Sequence, residues 1–331
     1  MTFNLDALMS IWGWALIQFV WQGLLIGVVA ALLLRLTRHT KPQVRYAIAL
    51  SALVLCLLVP IFNTLQTLAI PDTNAIASLA NIAAPATDRE LHQGTLNMAM
   101  PSSIQNQMPW IIILWMIGCV IFTMRMLLGL SWISQTQQNA RFNNKSSLQV
   151  SLDQLAICFG IQRSITLLIS EDIESPMAAG WWKPIIFMPA ALFTHLTPEY
   201  IEALLAHELA HIKRLDYLVN LVQSSIEAIL FFHPVVWWLS KQIRTERENI
   251  ADDLAAHVLN NPQQLATALA ALDQFQWSNP MLAQAAHGGN LMSRIQRLVK
   301  PTQHIFNWKI SIVLTAMLIT CLTVLAQDKT T

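Results

Sequence analysis

Four long apolar segments set the architecture of this chain. They cover residues 8–34, 46–65, 109–132 and 308–326. Each has about the 20 residues that an α-helix needs to cross some 30 Å of hydrocarbon. Charged residues make up only 12% of the 331 residues, against about 25% in soluble proteins. The pattern excludes an ordinary soluble enzyme and predicts a membrane protein with four transmembrane helices.

Basic residues are unevenly divided between the connections that join these segments. The first connection contains Arg35, Arg38, Lys41 and Arg45, whereas the connection 66–108 contains only Arg89. Cytoplasmic loops are enriched in Lys and Arg, so the first connection is predicted to be cytoplasmic. Both termini and the loop 66–108 are then outside, and residues 133–307 are cytoplasmic.

Net charge and cysteine usage exclude other function classes. The chain has 20 basic and 19 acidic residues, a net charge of +1, so no overall field attracts nucleic acid. Three of the 4 cysteines lie inside apolar segments, and Cys158 stands alone. Neither a disulfide framework nor a thiolate metal cluster is expected.

A histidine pair lies in a region with clear helix signals, residues 196–214. Thr197 is a suitable N-cap, and Pro198 follows at the first helical position. The helix contains His207-Glu208-Leu209-Ala210-His211. Histidines four residues apart lie on one helix face, where both can bind one Zn²⁺. Glu208 can then act on a water molecule without binding the metal. The alternative is a structural helix with two hydrogen-bonded histidines. In that case the small and aliphatic neighbours would bury the carboxylate of Glu208 without a function, at a high cost in free energy.

A catalytic zinc ion needs a third protein ligand. Glu248 is the best candidate, on a helix predicted for 240–259. Asp252 lies one turn later on the same face, where it can hydrogen-bond to a ligand histidine. Glu246 and Asp253 are alternatives, but they lie roughly 200° and 140° around the helix from Glu248. We interpret these two as solvated charges, with Arg244 and Arg247 as ordinary ion-pair partners.

A further apolar stretch, 217–239, is long enough to span a membrane. A full crossing would put His211 and Glu248 on opposite sides of the bilayer. The stretch contains His233-Pro234, and proline ends or kinks a helix. We therefore predict a bent or membrane-surface helical pair that returns to the side from which it came.

Two short strands are predicted before the zinc helix, at 164–169 and 184–188, with a turn at 180–184 between them. In zinc proteases an edge strand can bind the substrate backbone by strand addition. Plain core strands are the alternative.

The motifs together resemble those of the BlaR/MecR-type membrane zinc metallopeptidases. They are Pro176, Gly180 and the segments 184–189, 207–216, 232–238 and 246–253. The resemblance implies a gluzincin site in which His207, His211 and Glu248 bind zinc and Glu208 is the general base. The chain has only residues 327–331 after the fourth span, so the likeness is to a member that lacks the C-terminal penicillin-binding sensor domain.

The expected fold is that of a membrane protein, mainly α with a small β element. Residues 1–132 hold three transmembrane helices, 133–307 the cytoplasmic gluzincin-type zinc metalloprotease domain with its membrane-associated segment 217–239, and 308–331 the fourth helix and a short external tail. The expected location is the bacterial plasma membrane.

The resemblance implies signal transduction by self-cleavage and then loss of a cytoplasmic repressor. The expected partners are the lipid bilayer, the chain itself as substrate, a transcriptional repressor, and a second copy in a homodimer. Two alternatives stay open. One is a quality-control protease that trims membrane proteins, and the other is a non-catalytic transducer with a structural zinc.

Two finer features are less determined by the sequence. Self-cleavage is predicted within 287–292, because Gly288-Gly289 gives a flexible hinge and Leu291 and Met292 offer apolar side chains. A simple linker before a helix at 293–299 is the alternative. His257 and Tyr217 are both candidates for stabilising the oxyanion, and their spacing selects neither.

Overall fold

A computed structural model describes residues 5–69, 107–142, 147–277 and 291–300. The described chain is mainly helical, with one small sheet. Its helices are α1 (Leu5–Leu36), α2 (Pro42–Ala69), α3 (Met108–Asn139), α4 (Ser147–Cys158), α5 (Leu192–His195), α6 (Pro198–Lys213), α7 (Asp216–Ile229), α8 (Pro234–Leu259), α9 (Pro262–Trp277) and α10 (Leu291–Val299). Its strands are β1 (Arg141–Phe142), β2 (Thr166–Ser170), β3 (Met177–Ala179) and β4 (Ile185–Pro189). The predicted span 308–326 and residues 287–290 lie outside the described residues.

Within the described residues, three helices are long and apolar enough to cross a membrane: Ile11–Leu36, Pro42–Gln66 and Met108–Asn139. They coincide with the first three predicted spans. Phe19 of α1 and Leu53 of α2 are fully buried in a cluster that also contains residues of α8. In contrast, α3 exposes large apolar side chains such as Leu114, Val120 and Leu128, and extended apolar surface of this kind is typical of contact with lipid or another apolar partner.

The stretch 217–239 turns back inside the helical bundle. At its tip, Trp115 of α3 donates a hydrogen bond of 2.9 Å to the carbonyl of Ile229, and Nε2 of His233 lies 3.1 Å from the carbonyl of Val20 in α1. Pro234 begins α8, and the amide of Val235 donates to Nδ1 of His233 at 3.3 Å. The two helices therefore form a hairpin, so the segments that precede and follow it are on one side.

Glycines on α1 and α3 allow the close approach of this hairpin. A Cβ added at Gly27 would lie 2.6 Å from Cγ2 of Val235. One added at Gly118 would overlap the ring of Phe231. Small residues at such positions let neighbouring helices pack closely.

The sheet has the order β1-β2-β4-β3. Strands β2 and β4 are parallel, with Thr166 opposite Ile185, while β1 and β3 are antiparallel to their neighbours. Every residue of β4 is buried, and Ile186 and Met188 share a core cluster with Leu205 and Leu209 of α6. The sheet thus supports the helix that carries the histidine pair. The two predicted strands are present, but the edge beside α6 belongs to β3, which the sequence did not predict.

Candidate metal centre

Three side chains converge at the junction of α6 and α8. The Nε2 atoms of His207 and His211 are 3.2 Å apart. Oε2 of Glu248 lies 3.3 Å from Nε2 of His207 and 3.7 Å from Nε2 of His211. A tetrahedral zinc ion with bonds of 2.0–2.1 Å would hold its ligand atoms about 3.3 Å apart. The donor set and its spacing therefore fit zinc.

Among the described residues, only His207, His211 and Glu248 form a group of this kind. Structural zinc sites have four protein ligands, whereas catalytic sites have three and leave a position for water. The three donors found among the described residues match the number of protein ligands in the second class.

Each histidine contacts a carboxylate through Nδ1, the ring nitrogen outside the donor group. Nδ1 of His211 lies 2.7 Å from Oδ2 of Asp216, and Nδ1 of His207 lies 3.1 Å from Oδ1 of Asp252. Such partners orient the imidazole and direct the other nitrogen, Nε2, at the metal. Asp252 lies where helical phase predicts it.

Asp216 could not be placed at the centre from helical spacing, because its position depends on a turn. Helix α6 ends at Lys213, and Leu215 has a φ of 58°, in the left-handed region. This residue reverses the chain, so Asp216 begins α7 and its side chain points back to His211. An acidic residue in the first turn is also favourable toward the helix dipole. The sequence feature that could have identified Asp216 is its position as an acidic residue shortly after the predicted zinc helix.

Arg294 of α10 is the other contributor that sequence reasoning missed. Its Nε and Nη2 atoms donate to Oδ2 and Oδ1 of Asp252, each at 2.8 Å. Its guanidinium also lies 3.5 Å from Oε2 of Glu248 and 3.5 Å from Nε2 of His207. Arg294 follows Asp252 by 42 positions, and no helical phase connects residues so far apart. The arginine thus brings α10 to the edge of the metal centre.

Two further charges secure α10 to α8. Arg297 donates to Oδ1 of Asp253 at 2.7 Å and to the carbonyl of Asn249 at 2.6 Å. Asp253 is therefore paired with Arg297 and not with the histidines.

The interpretation of Glu246 as a solvated charge is wrong. Its side chain is completely buried, and its carboxylate lies 2.7 Å from Arg45 of α2. Gln242 donates a second hydrogen bond of 2.8 Å to it. The expected partner Arg244 instead pairs with Glu227 at 2.8 Å. Helical phase points Glu246 into the bundle rather than to the solvent, and neither it nor Asp253 belongs to the donor group.

The electrostatics of the centre favour charged carboxylates. Burial raises the pKa of Asp252, but hydrogen bonds from Arg294 and His207 lower it more strongly, to about 2. Burial likewise raises the pKa of Glu248, and the two histidines hold it well below its usual range. The histidines respond in the opposite way: burial lowers the pKa of His211, and Asp216 and Glu248 raise it to about 10. Metal binding at such a site releases protons.

A cavity of about 350 Å³ opens onto the three donors. Glu208, which is 7% exposed, lines it together with Tyr217 and Arg294. His257 is not among the lining residues and is exposed. Of the two oxyanion candidates, only Tyr217 therefore faces the cavity.

The edge strand β3 forms another wall of this cavity through Met177 and Ala178. Gly180 follows with a φ of 82°, a left-handed conformation that favours glycine. The strand that could bind a substrate backbone is thus β3 and not the buried β4.

Comparison with known proteins identifies the family. Residues 14–298 match the family described as BlaR1 peptidase M56. The chain belongs to this metallopeptidase family. The match confirms the resemblance that the sequence motifs indicated, and family membership supports a metal cofactor and, with the three apolar helices, a bacterial membrane protein.

Individual relatives match over shorter regions. The regulatory protein BlaR1 of Bacillus licheniformis is 27% identical over 138 residues, which are 42% of this chain and 23% of that protein. The methicillin resistance mecR1 protein of Staphylococcus aureus is 23% identical over 155 residues, 47% of this chain and 26% of that protein. A protease HtpX homolog of Methanopyrus kandleri is 28% identical over 130 residues, 31% of this chain and 41% of that protein. The match thus spans about a quarter of the length of the BlaR1 and mecR1 relatives.

A solved structure is also similar over most of the chain. Ste24p of S. mikatae aligns with a TM-score of 0.39 and 13% identity, and the alignment covers 90% of this chain and 99% of that one.

Proposed function

We propose that this M56 family member is a zinc-dependent endopeptidase that acts at the cytoplasmic face of the membrane. His207, His211 and Glu248 would hold the zinc ion. The supporting observation is the close spacing of their three donor atoms, 3.2 to 3.7 Å, beside the buried Glu208. When bound, zinc supplies Lewis acidity, which lowers the pKa of water and polarises a scissile carbonyl.

The surrounding residues would supply the other functions that peptide hydrolysis needs. Glu208 takes the proton of the attacking water and delivers it to the leaving amine. Asp216 and Asp252 keep the two imidazoles oriented. Strand β3, the last strand of the sheet in the described part of the chain, offers its outer edge to the substrate backbone. Tyr217 and Arg294 line the cavity and can stabilise negative charge that develops on the carbonyl oxygen.

A non-catalytic transducer fits these observations less well. A purely structural zinc is normally enclosed by four protein ligands. The donor group among the described residues has three members, and a cavity lies directly beside it.

The cytoplasmic orientation of the centre is part of this proposal. The basic connection between α1 and α2 favours the cytoplasm. Arg45, at its end, pairs with Glu246, two positions before Glu248. Arg214, near the end of α6, lies 5.0 Å from the ring centre of Tyr46. These contacts support a common side for the basic connection and the metal centre.

Self-cleavage in signalling is the biological role that we favour. Arg294 lies beside the three donors and follows the predicted cleavage window 287–292 by two positions. Leu291 and Met292 begin α10, and a protease binds its substrate in an extended form. The scissile bond within the predicted window is therefore expected at 287–290. The names of the BlaR1 and mecR1 relatives support a regulatory role, with cleavage of a repressor as the second step.

General membrane-protein proteolysis is the second candidate function. The match to a protease HtpX homolog favours it.

The test compares wild type with Glu208→Ala in purified membranes. We expect one zinc per chain in both proteins, measured by elemental analysis, and casein cleavage only by wild type. His207→Ala should lose both zinc and activity. If Glu208→Ala lost zinc as completely as His207→Ala, the roles assigned to these residues would be wrong. Mass spectrometry of the chain termini then distinguishes self-cleavage from cleavage of other proteins only.

A further inference from the structure

A second cavity, of about 560 Å³, lies between α3 and α7. Tyr217 and Asn220 line both this cavity and the metal cavity. The two spaces are therefore neighbours, and these two residues lie on the boundary between them. The proposed chemistry does not use the second space, which we call the α3–α7 cavity.

The α3–α7 cavity extends toward the predicted membrane interior. The tip of α7 is fixed at the level of Trp115 and Cys119, whose side chains approach the carbonyl of Ile229 at 2.9 Å and 3.9 Å. This level is close to the middle of the predicted span 109–132. Asp216 begins α7 at the metal centre, and the 14 residues of the helix rise about 20 Å.

Half of the hydrocarbon layer is about 15 Å thick. With the hairpin tip near the middle of the bilayer, the metal centre lies close to the headgroups. The α3–α7 cavity then connects the headgroup level with the hydrocarbon.

The lining of the cavity is partly apolar and partly charged, since the Glu227–Arg244 ion pair forms one part of it, and this combination suits an unwound segment of polypeptide with apolar side chains. Phe122, Met126 and Trp132 of α3 provide apolar contacts. Arg125, an exposed residue of α3, also lines the cavity, and its guanidinium has no hydrogen-bond or ion-pair partner in the part of the chain that the structure describes. A polypeptide that unwinds at membrane depth exposes carbonyl groups, each of which needs a donor. The guanidinium of Arg125 provides such donors.

We propose that the α3–α7 cavity is the route by which a membrane-anchored polypeptide enters the metal centre. The substrate class is then the part of a protein that lies at the membrane surface, next to a transmembrane helix. This inference rests on the proposed endopeptidase function. A lipid chain and the predicted fourth span of this chain are the other possible occupants, and the experiment separates them from a substrate.

Gly129 offers a way to close the route without disturbing the fold. A Cβ added at this position of α3 meets no atom within 4 Å, and Gly129 lines the cavity. Gly129→Trp should therefore fill the space. Leu128→Trp is the matched control, because Leu128 is 61% exposed and does not line the cavity. Gly129→Ala controls for the loss of glycine, and Gly129→Leu is a smaller blocking variant should the tryptophan impair folding.

The experiment uses the full chain in vesicles of phosphatidylethanolamine and phosphatidylglycerol. A casein peptide that wild type cleaves, identified by mass spectrometry, is prepared in two forms. One is the free peptide, and the other is the same peptide joined directly to a single transmembrane helix. Initial rates are measured for both probes, and zinc content and thermal unfolding confirm that each variant is folded.

We expect Gly129→Trp to cleave the anchored probe at least tenfold more slowly than wild type and the free peptide within twofold of wild type. Leu128→Trp and Gly129→Ala should match wild type on both probes. An equal loss on both probes, or no loss on either, would overturn the entry route; the latter result would indicate that lipid or the fourth span fills the cavity. If wild type and Glu208→Ala were equally inactive even on casein, the endopeptidase proposal itself would fail.

Discussion

Asp216→Asn should weaken zinc binding although Asp216 does not touch the metal. Its carboxylate lies 2.7 Å from Nδ1 of His211, and the residue is only 4% exposed. The amide can still accept a hydrogen bond, but it lacks the negative charge that increases the basicity of the imidazole. Loss of such a partner typically weakens metal affinity 10- to 100-fold, which corresponds to about 1.4 to 2.7 kcal/mol.

The assay is a competition between the purified protein and a chelator of known zinc affinity. Glu171→Gln is the matched control, since Glu171 is exposed at the end of β2 and should leave the affinity unchanged. Asp216→Asn should also retain one zinc per chain at saturation, because all three ligands are intact. An affinity equal to that of wild type would refute the argument that Asp216 orients His211. A complete loss, as expected for His211→Ala, would instead indicate a direct ligand or a folding role.

Three other substitutions test separate contacts. Arg294→Lys should lose the two-point contact to Asp252, and hydrogen bonds between charged groups are worth about 1.5 to 3 kcal/mol. Chelator competition should then show weaker zinc binding. Limited proteolysis should show that α10 is less firmly packed. Arg45→Met should leave the carboxylate of Glu246 buried without its cation and lower the free energy of unfolding by about 3 kcal/mol, as thermal or denaturant melts in detergent would show; a shift below about 0.5 kcal/mol would contradict this. A cysteine replacing Lys145 should react with an impermeant maleimide only after the cells are opened, and labelling of intact cells would reverse the proposed orientation.

Helical periodicity predicted the parts of the centre that lie within one element. The spacing of His207 and His211, and that of Glu248 and Asp252, places each pair on one helix face. The same rule says nothing about side chains brought in from elsewhere. Asp216 reaches the centre through a left-handed residue, Leu215, and a single such φ angle has no periodic signature.

Tertiary contacts decided the remaining differences. The partner of Glu246 is Arg45 in α2, and sequence neighbours alone suggested Arg244. The edge strand β3 has three residues, which is too short for an alternating pattern. Apolar length, by comparison, is a strong signal, and it correctly located α1, α2 and α3.

The glycine contacts at the hairpin tip imply that loss-of-function changes will not be confined to the metal centre. Val235 packs against Gly27 of α1 at one end of α8, and Glu248 is 13 residues further along the same unbroken helix, about 20 Å away. A bulky residue at Gly27 would displace Val235 and with it the first turn of α8. Because the helix is rigid, the displacement would also move the carboxylate of Glu248. A random-mutagenesis screen for inactive variants should therefore recover substitutions at Gly27, in a helix that contributes no metal ligand.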